Sequence, residues 1–336
     1  MTELLSWQTE AEHIDDPVIS CQGVTKQFGS HRVLDGVTYD VPRGKTTAIL
    51  GPSGTGKSVM LKVIIGLLKP EAGQIIVDGE PVVGISEKNL LRIRRKFGVL
   101  FQDGALFGSM SLYDNIAFPM REHTKASEKE IRVKVMENAE LVGLVAHLDK
   151  TPGEVSGGMK KRAGLARALV LEPPIILFDE PDSGLDPVRV AYLDELVNTA
   201  QQETGSTFFI ITHNIESVNR TAHYLGLLFR SKLVAFGSKE SMNSTENPVI
   251  RQFLAGRPEG PISMDEMAED DRGAASDKGP GAKPDNTDPT SIDQVVESDG
   301  TRSNGTRSDN TRSDNTRSDT ADSHYDDEDW ETPPGR

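Results

Sequence analysis

Residues 51–58, GPSGTGKS, combine clustered glycines with a lysine and a serine, a composition suited to holding phosphate groups. They follow the apolar run TTAIL (46–50) and open a helical pattern, VMLKVIIGLL (59–68). Glycines let the backbone curl so that its N–H groups point at phosphate oxygens, and the helix N-terminus adds partial positive charge. In this pattern we expect Lys57 to neutralise β- and γ-phosphate oxygens and Ser58 to ligate Mg²⁺. The whole predicted cradle is Gly51, Pro52, Ser53, Gly54, Thr55, Gly56, Lys57 and Ser58.

A second stretch, PPIILFDEP (173–181), places two acids at the end of an apolar run that is typical of a buried strand. Asp179 would emerge at the carboxyl end of that strand and hold Mg²⁺ through water. Glu180 would face the γ-phosphate and orient or deprotonate the attacking water. The two stretches together therefore predict a hydrolytic phosphate site with a bound magnesium ion.

Short apolar runs alternate with helical patterns through the first 240 residues, which predicts a parallel sheet wrapped by helices. The predicted buried strands are 46–50, 175–178, 207–212 and 225–229, and helices are expected to begin at Gly56, Glu128, Gly158 and Pro187. The earlier stretches 18–29, 31–42 and 73–82 have the alternation and turn residues of antiparallel strands that pack onto that sheet.

Charge separates the end of the chain from the rest. The 336 residues carry a net charge of −15, and residues 257–336 contribute 21 acidic against 9 basic side chains. A pentapeptide of the type TRSDN is repeated between 301 and 320, without an apolar residue to bury. We therefore predict a flexible N-terminus (1–16), one globular domain (17–256) and a disordered acidic tail (257–336).

Cys21 is the single cysteine, so no intrachain disulfide is possible. The start of the chain lacks the pattern of a signal peptide, and no apolar run approaches the ~20 residues that cross a bilayer. We expect a cytosolic protein whose membrane association comes through a partner.

The segment EVSGGMKKRAGLARAL (154–169), between the two phosphate-site stretches, resembles the signature motif of ABC ATPases. The resemblance implies an α/β P-loop ATPase fold with a parallel core sheet, an antiparallel β subdomain and a helical signature subdomain. It also implies that Ser156, Gly157 and Gly158 cap the γ-phosphate held by the opposite subunit, so that a homodimer encloses two ATP molecules with Mg²⁺. Val155 and Met159 depart from the commoner Leu and Gln, without affecting the three residues that carry the phosphate contact.

Further motifs of that family occur in order along residues 17–240. Phe28 resembles the aromatic residue that stacks on adenine. Gln102 resembles the glutamine that touches Mg²⁺ and senses the permease. Asp186, in SGLD (183–186), resembles the aspartate at the dimer interface, and His213 resembles the switch histidine that contacts the γ-phosphate.

The run LFQDGALF with DNIAFP and REHT (100–124), together with SGGMKKR, is similar to the ATPases of Mla-type and Mce-type systems. The long polar tail is similar to that of the ATPase shared by Mce systems in actinobacteria. These likenesses imply transport of phospholipids, sterols or other hydrophobic lipids, through a YrbE-like or MlaE-like permease with MCE-type lipid-binding proteins. They place the chain peripherally on the cytoplasmic face of the inner membrane.

Two segments bear on the partners. Residues 247–262 resemble the extension by which Mla-type ATPases clasp the dimer partner, although the likeness ends near Gly260. An apolar patch after Gln102 is expected either to receive a coupling helix of the permease or to pack the helical subdomain. Its members are Leu106, Phe107, Met110, Leu112 and Phe118.

Three alternatives stay open at this point. An ABC importer motor for a small polar solute would keep every catalytic assignment and change the partner. A soluble ABC ATPase acting on ribosomes or DNA would be expected to carry two cassettes, a long coiled coil or a basic stripe for nucleic acid, which this sequence lacks. A P-loop switch without turnover is disfavoured by Glu180 and His213.

Overall fold

The computed structural model describes residues 11–102 and 104–262. In chain order the strands are β1 (Pro17–Phe28), β2 (His31–Pro42), β3 (Thr46–Leu50), β4 (Ala72–Val77), β5 (Glu80–Pro81), β6 (Phe97–Leu100), β7 (Ile175–Asp179), β8 (Thr207–Ile211), β9 (Tyr224–Phe229) and β10 (Lys232–Ser238). The α-helices are α1 (Lys57–Ile64), α2 (Glu87–Arg94), α3 (Leu112–His123), α4 (Glu128–Leu141), α5 (Gly157–Leu169), α6 (Pro187–Thr204), α7 (Ile215–Thr221), α8 (Lys239–Ser244) and α9 (Pro248–Leu254). Short 3-10 turns lie at Val145–His147 and Pro152–Glu154.

A six-stranded sheet forms the centre of the fold, in the order β10-β9-β3-β8-β7-β6. Its strands are parallel except for β10, which runs antiparallel to β9. Every residue of β3 and β8 is buried, as expected for inner strands covered on both faces. Because parallel strands end at the same edge, the segments after β3, β7 and β8 meet there.

The antiparallel sheet β2-β1-β4-β5 packs over α1 and one face of the central sheet. Tyr39 lies at the centre of this contact, 1% exposed. Its hydroxyl donates a hydrogen bond to the Met60 sulfur at 3.0 Å, and its ring stacks on Phe209 with centroids 6.2 Å apart. The other face carries α3, α4 and α5, of which α5 also packs against β6.

The predicted α/β fold is confirmed, and the predicted strands match β3, β7, β8 and β9 to within one residue at each end. Two details differ. The helix expected over 59–68 ends at Ile64, because Gly66 turns left-handed at φ +70° and the amide of Leu67 bonds back to the Lys62 carbonyl. The strands β6 and β10 were not predicted, and the signature helix begins at Gly157 rather than Gly158.

The chain ends lie largely beyond what the structure describes. The predicted flexible N-terminus (1–16) is described only from residue 11, where Glu12 bonds through its amide to the Phe236 carbonyl at 3.1 Å. The predicted tail is described only over 257–262, and Ile262 exchanges two hydrogen bonds with the Gln252 side chain. Within the described ranges, the helices are all too short or too polar to span a bilayer.

Candidate functional site

The loop between β3 and α1 adopts a shape that only glycine allows at two positions. A Cβ on Gly51 would lie 2.3 Å from the Leu228 carbonyl oxygen. Gly56 caps α1 at φ +95°, and a Cβ there would lie 2.6 Å from a methyl group of Val33. The loop therefore curls closely against neighbouring strands, with the amides of the first turn of α1 at its open end.

Lys57 lies beneath this loop with only 4% of its surface exposed. Its ammonium donates hydrogen bonds to the carbonyls of Gly51 (2.9 Å) and Pro52 (2.7 Å), and Thr55 donates to the same Pro52 carbonyl at 2.9 Å. Burial lowers the pKa of Lys57, while the nearby carboxylates of Glu180 and Asp179 oppose that shift. A buried cation inside a curled loop is suited to pairing with phosphate oxygens.

The Ser58 hydroxyl donates a hydrogen bond of 2.8 Å to a carboxylate oxygen of Asp179, at the end of β7. Burial raises the pKa of Asp179, and the bond from Ser58 works against this shift. The two oxygens are of the hard type that Mg²⁺ prefers. Nowhere in residues 11–102 or 104–262 do three His, Cys, Asp or Glu side chains cluster as a metal cage. The pair therefore fits an ion that takes its remaining ligands from phosphate and water.

Glu180 occupies a left-handed backbone conformation, at φ +47°. Its amide donates to the Ile211 carbonyl at 2.8 Å, which holds the residue against the end of β8. One carboxylate oxygen lies 3.8 Å from the Lys57 ammonium and 3.5 Å from Nδ1 of His213. Since glutamate, like most residues that carry a Cβ, rarely adopts positive φ, this conformation aims the carboxylate at the loop at some energetic cost.

A cavity of about 430 Å³ lies in front of the loop and brings together eight of the seventeen predicted site residues. Its lining includes Phe28, Ser53, Gly54, Gly56, Lys57, Ser58, Gln102 and Glu180. Phe28 is 36% exposed, and the Lys26 ammonium lies 5.1 Å from its ring centre. The volume is in the range of a drug-sized ligand, and the lining includes both an aromatic ring and a buried cation, so the cavity fits a nucleotide.

The residues of the signature motif lie apart from this cavity. Ser156 caps α5 by accepting a hydrogen bond from the Met159 amide at 3.3 Å. Ser156 and Gly158 line a separate cavity of about 90 Å³ beside the start of α6, and a Cβ on Gly157 would meet nothing within 4 Å. This separation is compatible with the prediction that they serve a nucleotide on another copy.

Asp186 also lies away from the cavity, where its side chain caps α6. It accepts hydrogen bonds of 3.1 Å from the amides of Val188 and Arg189, and pairs with the Arg189 side chain at 3.2 Å. The described contacts are thus those of a helix cap. Its predicted place at the dimer interface stays a prediction.

Two basic residues of α5 that the sequence did not single out hold the loops that carry Gln102 and Glu180. Arg167 donates one hydrogen bond to the Gly104 carbonyl and another to Ala105, each 2.7 Å long. Lys161, 5% exposed, donates to the turn that follows Glu180. The sequence did indicate that Lys161 is buried, because this residue lies four and seven positions before the apolar Leu165 and Ala168. The three residues therefore share the buried side of the helix.

Asn115 is another buried polar residue that the sequence did not single out, and it lies in the segment that carries the predicted apolar patch. Its fully buried amide bonds to the backbone of Phe107 in both directions, at 2.7 and 3.1 Å, and to the Ser111 carbonyl at 2.9 Å. Phe107 itself is 43% exposed and packs on Phe118 with ring centroids 4.8 Å apart. Leu112, by contrast, is fully buried in the core. Of the predicted patch, Leu112 thus belongs to the core, whereas the exposed Phe107 packs on the partly buried Phe118.

Comparison with known proteins agrees with this geometry. Residues 34–183 match the family described as ABC transporter. The probable ribonucleotide transport ATP-binding protein mkl of Mycobacterium leprae is 57% identical over 248 residues, which span 74% of this chain and 72% of that protein. The intermembrane phospholipid transport system ATP-binding protein MlaF of Escherichia coli is 39% identical over 245 residues, or 73% and 91% of the two chains.

Solved structures give the same relationship. CbiO1 from Clostridium perfringens, part of the ABC transporter complex cbiONQ, has a TM-score of 0.64 at 31% identity and covers 71% of this chain and 94% of its own. The ATP-binding cassette MJ0796, solved as a dimer in a post-hydrolysis state with ADP and Pi, has a TM-score of 0.61 at 28% identity, with coverages of 66% and 98%. The chain therefore belongs to the ATPase subunits of ABC transporters, in the group that contains the Mla-type and Mce-type proteins.

Proposed function

We propose that this ATPase works as a homodimer with Mg²⁺ and energises the movement of lipid through a separate membrane permease. The observation that carries the catalytic half of the proposal is the position of Glu180, with its carboxylate between the Lys57 ammonium and His213. The lipid half is supported by the 39% identity to MlaF over 91% of that protein's length.

In this proposal each residue of the cavity has one task. Phe28 stacks on the adenine ring, and Lys57 with the loop amides holds the β- and γ-phosphates. Ser58 and Asp179 hold Mg²⁺, which when bound neutralises charge on the phosphate oxygens. Gln102, exposed on the cavity wall, takes part in that metal site.

Hydrolysis then depends on Glu180 and His213. The Glu180 carboxylate accepts a proton from the attacking water or orients it, as a general base must within hydrogen-bond reach. His213, with half of its side chain exposed, lies 3.5 Å from the Glu180 carboxylate and contacts the γ-phosphate in this proposal. Both side chains come from strand ends that the parallel sheet places side by side.

The proposed dimer brings the signature residues to the nucleotide. Ser156 and Gly158 lie outside the cavity of their own protomer, and in this proposal a second copy supplies the corresponding turn. The dimeric state of the MJ0796 cassette supports this arrangement. The extension at 247–262 contacts its own protomer in the structure, through the pairing of Gln252 with Ile262, and its predicted clasp on the partner stays a prediction.

The proposed permease site is a groove of about 500 Å³ between α2, β6, α3 and α5. Its lining includes Leu91, Phe97, Pro119, His123 and Arg167. Arg167 also holds the loop that follows Gln102, so a helix seated in the groove would contact a side chain that is tied to this loop. A YrbE-like or MlaE-like permease, with MCE-type lipid-binding proteins beyond the inner membrane, is the partner that this proposal names.

A second candidate is transport of ribonucleotides or another small polar solute. It is favoured by the mycobacterial relatives described as probable ribonucleotide transport ATP-binding proteins, which are 57% and 56% identical to this chain. The catalytic assignments are identical in the two cases, since they depend on the cavity and not on the cargo.

The test is reconstitution of the full chain with its co-purified permease in phospholipid vesicles. We expect ATP-dependent movement of a fluorescent phospholipid and no uptake of labelled ribonucleotide. The Glu180→Gln variant should show neither lipid movement nor ribonucleotide uptake. Uptake of ribonucleotide without lipid movement would reject the lipid assignment in favour of the second candidate. Failure of the reconstituted wild-type protein to hydrolyse ATP would reject the catalytic assignments themselves.

A further inference from the structure

We propose that Lys161 is a positioning residue that joins the signature end of α5 to the turn carrying Glu180, and thereby couples the two nucleotide sites of the dimer. The inference rests on the dimer of the proposed function. It concerns a side chain that does not line the nucleotide cavity and that donates hydrogen bonds to the turn after Glu180.

The contacts of Lys161 are unusual for a lysine. The side chain is 5% exposed, and its ammonium donates hydrogen bonds to the Pro181 carbonyl at 2.7 Å and to the Ser183 hydroxyl at 3.1 Å. A third bond goes to the Ser183 carbonyl. An ammonium has three donors, and these acceptors all belong to the turn that begins directly after Glu180. A buried charge with this set of partners is fixed in one geometry.

The turn has a second anchor on its other side. Thr212, the residue before His213, donates its hydroxyl hydrogen to the buried Asp182 carboxylate, whose oxygens lie 2.8 and 3.0 Å away. The turn is thus held between α5 and the end of β8. Because Glu180 sits at φ +47°, its direction depends on these anchors and not on a relaxed backbone.

The same helix begins at the predicted contact with the other nucleotide. Ser156 caps α5 five residues before Lys161, a distance of roughly 7.5 Å along a rigid helix. In the proposed dimer, closure of this end on the nucleotide of the partner moves Lys161 and the turn as one body. The position of the Glu180 carboxylate, which acts on the protomer's own nucleotide, then depends on whether the other site is closed.

The first experiment compares Lys161→Met with the native full chain in complex with its permease. Loss of a charged hydrogen-bonding group should lower kcat roughly tenfold to a hundredfold. The KM for ATP should change by less than about twofold, because the cradle is untouched. The Hill coefficient for ATP should fall from its native value toward one. Lys161→Gln, which keeps two donors, should recover part of both effects, and Lys160→Met removes the same charge from the neighbouring position as a matched control.

The second experiment measures the coupling without turnover. In the Glu180→Gln background, ATP should slow hydrogen exchange in peptides covering 51–58 and 180–186. Adding Lys161→Met should abolish protection of 180–186 and leave that of 51–58 intact. Equal protection of both peptides, or an unchanged Hill coefficient with kcat within about twofold of native, would overturn the role of Lys161. An inactive native complex would instead count against the proposed function.

Discussion

The Ser58 hydroxyl lies 2.8 Å from the Asp179 carboxylate, although 121 positions separate the two residues in the chain. One follows β3 and the other ends β7, with β8 between the two strands. The parallel arrangement is therefore what brings the two parts of the proposed metal site together, since each segment alone is incomplete.

Glu180→Gln should retain ATP binding and lose hydrolysis by roughly 10²-fold to 10⁴-fold, because the amide cannot accept the proton of the attacking water. The variant should accumulate as an ATP-bound dimer, visible by size-exclusion chromatography. Phosphate release measures the turnover. Glu203→Gln, at an exposed position of α6, serves as the control. Near-native turnover of Glu180→Gln would remove the role assigned to this carboxylate.

Lys57→Ala should abolish detectable ATP binding, since it removes the buried cation within the loop and takes one hydrogen-bond donor from each of the Gly51 and Pro52 carbonyls. Isothermal titration with ATP and Mg²⁺ measures the loss. The exposed Lys69→Ala should bind as the native chain does. Binding by Lys57→Ala at native affinity would contradict the predicted cradle.

Phe28→Ala should raise the Kd for ATP roughly 5-fold to 150-fold, the effect of losing about 1–3 kcal/mol of base stacking. Phe28→Tyr keeps the ring and should bind within a few-fold of native. The two variants separate stacking from simple packing, because Phe28 is already 36% exposed and its loss should leave the unfolding temperature nearly unchanged. Equal affinities for all three proteins would place adenine elsewhere.

Arg167→Met should lower the free energy of unfolding by about 1–3 kcal/mol, because the Gly104 and Ala105 carbonyls lose a charged donor. It should also reduce the ratio of permease-stimulated to basal ATPase activity, since the loop after Gln102 is no longer tied to α5. Arg132→Met, at an exposed position of α4, should change neither quantity. An unaltered stimulation ratio in Arg167→Met would separate this residue from the permease groove.

Asp78→Asn tests a stabilising ion pair outside the site. The hydrogen bonds from Lys96 (2.7 Å) and Arg43 (2.9 Å) lower the pKa of Asp78. A carboxylate with a lowered pKa stabilises the folded state above its ordinary value of 3.8, and the contribution is lost as the pH falls through the lowered pKa. The variant should lose about 1 kcal/mol at pH 7, because the pair is partly exposed.

Asparagine is chosen for this variant because it removes the charge of Asp78 and keeps the size of the side chain. Asp78 has φ +51°, a conformation that Asn tolerates well. Urea unfolding at pH 7 and near pH 3.5 should show the difference from native shrinking at the lower pH. The exposed Asp15→Asn provides the baseline. A constant difference between the two pH values would mean that the effect comes from packing and not from ionisation.

The sequence by itself determined the part of the site that lies at the nucleotide cavity. The glycine spacing of 51–58, the acids after an apolar run and the alternation of strands and helices are local patterns, and local patterns depend on backbone geometry over a few residues. They were sufficient to place Lys57, Ser58, Asp179 and Glu180 at one sheet edge, because parallel strands end together. The family resemblance added Phe28, Gln102 and His213, which lie on or beside the same cavity.

The tertiary structure alone decided which side chains hold the loops around Gln102, Phe107 and Glu180. Lys161, Arg167 and Asn115 bond to backbone carbonyls, and a carbonyl acceptor leaves no mark in residue type. The left-handed conformation of Glu180 has the same origin, since its amide is fixed by the end of β8 and not by a neighbouring glycine. Contacts between segments far apart in the chain depend on which elements pack together, and that information becomes available only when the sheet order is known.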